Sequence, residues 1–75
     1  MTRPFEIVWS QAALDDWRRM APDAQVAVAR AVERFPGDGF VIATGPTEYL
    51  LLVGRYAVVV LVAGDVAHVD AIRRA

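Results

Sequence analysis

Residues 50 to 62 read LLLVGRYAVVVLV, and eleven of the thirteen are apolar. Gly54 and Arg55 alone interrupt the run. A strand with one covered face alternates apolar and polar residues, whereas a run apolar at every position asks for cover on both faces. The whole chain has 75 residues. A domain of that size buries only about 60–65% of its unfolded surface and builds at most two layers. Two consecutive strands of this kind therefore demand more cover than the chain can supply.

The remaining sequence shows what cover there is. Residues 5 to 9, FEIVW, read as a short strand. Ser10 is a good N-cap, and Ala13, Leu14 and Trp17 then form one apolar stripe of a helix. Asp15 and Asp16 precede Arg18 and Arg19, the order that suits the helix dipole. Ala21-Pro22 breaks this helix, and Pro22 is well placed to begin a second. Val28, Ala31, Val32 and Phe35 recur at helical spacing, with Val26 and Ala29 widening the stripe. PGDG at 36–39 ends the pattern. Residues 36 to 47 read as a loop, with Phe40, Val41 and Ile42 expected to tuck inward.

Three strands follow, over 48–53, 56–62 and 66–72, joined by the two-residue turns Gly54-Arg55 and Gly64-Asp65. The expected fold is α+β, in the order β-α-α-β-β-β, with a helical hairpin on one face of a small antiparallel sheet and a single domain over 1–75. The turns set the faces, because opposed residues point the same way. One face then holds Tyr49, Leu51, Val53, Tyr56, Val58, Val60, Val62, Ala67, Val69 and Ala71. The other holds Glu48, Leu50, Leu52, Ala57, Val59, Leu61, His68, Asp70 and Ile72. The last strand alternates cleanly, so it marks the first face as the core beneath the helices. Leu50, Leu52, Ala57, Val59 and Leu61 are left on the open face with nothing to cover them.

Composition narrows the function classes. The net charge is −1, where a chain that lives on phosphate backbones normally carries a basic patch, so direct nucleic-acid binding is not expected. There is no cysteine and one histidine, so neither a transition-metal site nor a cofactor is expected. No apolar run approaches the ~20 residues of a membrane helix, and no signal peptide is visible. A cytoplasmic location is the expectation.

The segments FEIVW, AALDDWRRM, IATGPTEYLL and LLLVGRYAVVVLVAGDVAHVDAIRRA, taken in order, resemble the RelE/ParE superfamily, the toxins of bacterial type II toxin–antitoxin systems. The resemblance spans nearly the whole chain. It implies an antitoxin as partner. RelE-like members are ribosome-dependent mRNA endonucleases, with lysines on the strand before the hairpin and an Arg directly after the hairpin Tyr. Those positions match Leu50, Leu52 and Ala57. Arg73 or Arg74 could match the Arg after the last strand, and the C-terminal Tyr or His of the family is expected to be missing. Cleaving RNA through its own 2′-hydroxyl needs a base, an acid and cations around the phosphorane. Leucine and alanine supply none of these.

The weak catalytic candidates are His68, Arg73 and Arg74. His68 and Asp70 could pair as a base and its orienting acid. Residues two apart on a strand lie ~7 Å apart, so two solvated polar side chains are the simpler reading. Three functions stay open. One is a toxin acting by protein contact, as ParE-like members act on DNA gyrase. Another is an mRNA endonuclease with displaced groups. The third is a non-toxic relative serving as a homodimeric interaction module. The missing cations and the acidic balance argue against the second, and the sequence does not separate the first from the third. The expectation adopted is a toxin-family protein working by protein contact, with Leu50, Leu52, Ala57, Val59 and Leu61 as the partner-binding surface.

Overall fold

A computed structural model describes residues 4–37 and 40–74. Asp38 and Gly39, which the sequence places in the helix-ending turn, lie outside the described residues. The elements run β1 (Glu6–Trp9), α1 (Gln11–Arg18), α2 (Pro22–Glu33), β2 (Phe40–Ala43), β3 (Glu48–Val53), β4 (Tyr56–Ala63) and β5 (Val66–Arg74). The five strands form one sheet in the order β1-β5-β4-β3-β2. β1 runs parallel to β5, and every other pair is antiparallel. The helical hairpin and strands β2 to β4 all lie between β1 and β5 in the chain, so this pair is not joined by a turn and can run parallel.

The helices begin where the sequence says they should. The Ser10 hydroxyl accepts the Ala13 N–H at 3.0 Å, which caps α1. Pro22 opens α2, where a missing N–H costs nothing. The two helices are tied by a reciprocal pair of bonds. The Trp17 indole N–H donates to the Gln25 carbonyl at 2.9 Å, and the Gln25 amide donates to the Trp17 carbonyl at 3.0 Å. Under the helices lies a core that includes Ala13, Val28, Val32, Phe35, Leu51, Val58, Val60 and Val69, all buried. Trp9 meets Trp17 edge-on at 6.2 Å, and Phe35 meets Tyr49 edge-on at 5.9 Å.

The turns hold as expected. Gly54 and Gly64 have φ of 56° and 61°. No other residue needs a positive φ among those described, so each turn places glycine first, the order of a type II′ hairpin. This sets the β3–β4 register, with Val53 opposite Tyr56 and Leu50 opposite Val59.

Three expectations fail, each for a visible reason. Residues 40–43 are a strand and not a loop, and of the three residues expected to tuck inward only Val41 packs against the core. Phe40 lies opposite Leu52, and Ile42 opposite Leu50. That register turns both side chains to the open face, where Phe40 is 77% and Ile42 46% exposed. Val26 is 52% exposed, because α2 needs only the Val28–Val32 stripe to meet the sheet. The third failure is a bulge in β5. Val59 pairs with Ala71 and Val60 with Val69, so Asp70 is an extra residue. One extra residue swaps the faces of everything beyond it. Ile72 therefore enters the core at 8% exposure, and Ala71 moves to the open face.

Ser10 holds the bulge as well as the cap. Its hydroxyl donates to the Asp70 carbonyl at 2.7 Å, and its N–H donates to the Val69 carbonyl at 2.9 Å. Ser10→Ala removes the cap acceptor and the side-chain donor together. The expected cost is about 1–2 kcal/mol, a fall of roughly 5–15 °C in Tm for a domain of this size. Ser10→Asp keeps an acceptor but cannot donate to Asp70, and should fall between wild type and alanine in a thermal melt. Equal melting temperatures for all three would remove Ser10 from the account of the bulge.

Candidate functional site: the open face of the sheet

The registers arrange the open face as rows crossing the strands. One row runs Ala71, Val59, Leu50, Ile42. The row on one side runs Arg73, Ala57, Leu52, Phe40. The row on the other side runs Val8, His68, Leu61, Glu48. The central row has no polar side chain. The large apolar side chains Val8, Phe40, Ile42 and Leu61 are exposed on this face. The α1–α2 hairpin occupies the opposite face, and α1 and α2 are the only helices among the described residues.

The five residues singled out by sequence all reach this face, though not equally. Leu61 is 37% exposed, Leu50, Leu52 and Ala57 are half-buried, and Val59 is only 8% exposed. Val59 sits on the middle strand of five, flanked on both sides by Leu50 and Ala71. The apolar surface extends instead toward β2 and β1. Phe40 and Ile42 were missed because 40–43 was not read as a strand. Their signal was a β-branched and aromatic run closed by Gly45-Pro46.

The bulge also decides between the two C-terminal arginines. Arg73 lies opposite Ala57 on the open face, whereas Arg74 lies opposite Tyr56 on the helix side. Strict alternation would have placed them the other way round. Arg73 makes no ion pair among the described residues, and His68 and Asp70 make no bond to one another. His68 and Arg73 are separated along β5 by the Ala71 row, roughly 13 Å at the rise of a strand. Groups that far apart, across apolar side chains, cannot act together on one phosphate. The polar side chains also segregate, with Arg73 at one end of the face and Glu48 at the other.

Elsewhere the surface has a cleft of about 330 Å³ between α2 and the β3–β4 turn, lined in part by Asp23, Val53, Arg55 and Tyr56. A second, of about 240 Å³, is lined by Trp9, Leu14, Trp17, Ala29 and Glu33. Among the described residues no three His, Cys, Asp or Glu side chains gather as metal ligands. No helix among them is long and apolar enough to cross a membrane.

Two helices packed on a five-stranded mixed sheet is an arrangement found in a solved structure. The chain superposes on a chain of the crystal structure of the RelB–RelE antitoxin–toxin complex from Methanococcus jannaschii, with a TM-score of 0.70 and 13% identity. The match covers 89% of this chain and 88% of that one. The chain has a RelE-like fold. No family model and no curated protein sequence matches it significantly. The likeness is therefore one of backbone course, and the side chains on the open face must be judged on their own chemistry.

Proposed function

We propose that this chain is the toxin-type component of a toxin–antitoxin pair, and that it works by protein contact through the open sheet face. The observation that carries the reading is the central row Ala71, Val59, Leu50, Ile42, an apolar band across four strands. The fold likeness to a chain of an antitoxin–toxin complex supports an antitoxin as the partner. An apolar centre with polar groups at its edge is the anatomy of a protein interface. A partner segment that is apolar along its middle and acidic where it meets Arg73 fits the face best. A target such as DNA gyrase rests on the ParE resemblance, and no feature of the face singles it out.

Inducible expression tests the reading. The chain alone should arrest growth, and co-expression of the neighbouring gene product should relieve the arrest and copurify with the chain. Normal growth together with no copurifying product would overturn it.

One observation favours a second reading, an mRNA endonuclease: the bulge delivers Arg73 to the open face. Against it, Leu50, Leu52 and Ala57 leave Arg73 without a second cation on the rows beside it. One displaced cation does not stabilise a phosphorane and supply proton transfer as well. The expected result is that the purified protein cuts no mRNA in a translating cell-free extract. Codon-specific fragments that vanish in Arg73→Ala would reverse the order of the two readings.

A further inference from the structure

The outer edge of β2 presents backbone groups beside the open face. The Thr44 N–H donates to the Glu48 carbonyl at 2.9 Å, which sets the phase of the β2–β3 ladder. Bonded and non-bonded pairs alternate along an antiparallel ladder. Phe40 and Ile42 thus turn their backbone groups toward β3, and Val41 and Ala43 turn theirs outward. β2 ends the sheet order, so no strand among the described residues takes those outward groups. Natural sheets blunt such edges by keeping the strand short or with lysine, proline, inward charges or a bulge. Phe40–Ala43 is short, at four residues, but it has no lysine, proline or charge and its ladder to β3 is regular. The opposite edge, β1, begins with Glu6.

We propose that β2 pairs antiparallel with β2 of a second copy of this chain, about a two-fold axis at Ile42. Within 40–44 this is the one register that pairs both outward-facing residues. Val41 of each copy meets Ala43 of the other, and two such pairs of two bonds each give four backbone hydrogen bonds. Ile42 meets its own counterpart in a non-bonded pair, with Cβ atoms about 4.5–5.5 Å apart. Phe40 lies diagonal to that pair on the same face. A second copy is the occupant that fits, because the edge is uncharged and complementary to itself, and a two-fold closes at two copies. Glu48 lies one strand away from the axis, so no like charges oppose. The apolar row then runs unbroken from Val59 and Leu50 through Ile42 into its mate. A contact of one short strand buries less than the ~1,200 Å² of a standard interface, so the dimer belongs to the weak, reversible class.

The inference rests on the fold and not on the proposed function, and its test needs no partner. The chain has no cysteine, so a single introduced thiol reports one contact. Sedimentation velocity over a concentration series should show a monomer–dimer equilibrium. Ile42→Cys should form a covalent dimer under mild oxidation, whereas Leu61→Cys, on the same face but two strands away, should not. Ala43→Pro deletes an outward N–H in each copy and leaves the β3 ladder intact. It should weaken the dimer at least about tenfold with an unchanged circular dichroism spectrum. Ile42→Lys, which places like charges opposite each other, should weaken it as well and covers the case in which proline disturbs the strand. A chain that stays monomeric at the highest concentration overturns the proposal. So does a dimer that cross-links through Leu61→Cys and not through Ile42→Cys, since that dimer is face to face.

Discussion

Trp17→Ala is expected to bring the protein close to unfolding at growth temperature. The indole is the joint between the helices. It meets Trp9 edge-on at 6.2 Å, and its N–H closes one half of the reciprocal pair with Gln25. Truncating a core tryptophan costs ~3–5 kcal/mol, and Trp17 is half-buried, so about 3 kcal/mol is the expected loss. A chain of this length holds only about 4–11 kcal/mol in total. The melting temperature should fall by roughly 12–24 °C. Trp17→Phe keeps the ring against Trp9 and loses only the N–H, and should cost about 1 kcal/mol. Chemical denaturation followed by circular dichroism separates these values. An alanine variant that melts with wild type would make Trp17 a surface contact and not a joint.

Leu50→Asp is expected to abolish partner binding while the fold persists. Leu50 sits in the central row between Val59 and Ile42, on the face the helices do not touch. A partner that covers this row would bury the new carboxylate without a counter-charge. Arg73 lies in the next row and two strands away, so it cannot pair with it. An unpaired charge at the centre of an interface costs several kcal/mol, so affinity should fall at least about a hundredfold. In the free protein the side chain is half-buried at the surface and the carboxylate stays partly hydrated, so the loss of stability is smaller. Calorimetric titration with the product of the neighbouring gene measures the first quantity, and a thermal melt measures the second. Undiminished affinity would move the contact away from the open face.

The two substitutions probe opposite sides of one sheet. Trp17 acts through the layer that holds the fold, and Leu50 through the layer that holds nothing. Together they separate a chain that has lost its structure from one that has lost its surface, which is the distinction a growth assay alone does not make.

Much of this architecture was legible in the sequence because its causes are local. Ser10 and Pro22 begin helices by supplying or sparing hydrogen bonds within a turn of themselves. Gly54 and Gly64 take the positive φ that their turns demand, and a two-residue turn sets the register of both flanking strands. The open face followed from that register alone. What the sequence did not reveal depends on groups brought together from far apart in the chain. The bulge at Asp70 is held by Ser10, sixty positions away, and it decides that Ile72 is core and that Arg73, not Arg74, reaches the open face. Residues 40–43 are a different case: the hairpin from Thr44 to Glu48 lays them beside β3, and their β-branched and aromatic run is a local signal. Local preference determined where the helices and the two tight turns lie, and through the turns which way β3 and β4 face. Only tertiary pairing decided the faces of β5 beyond the bulge, because a strand's period of two turns one inserted residue into an exchange of sides.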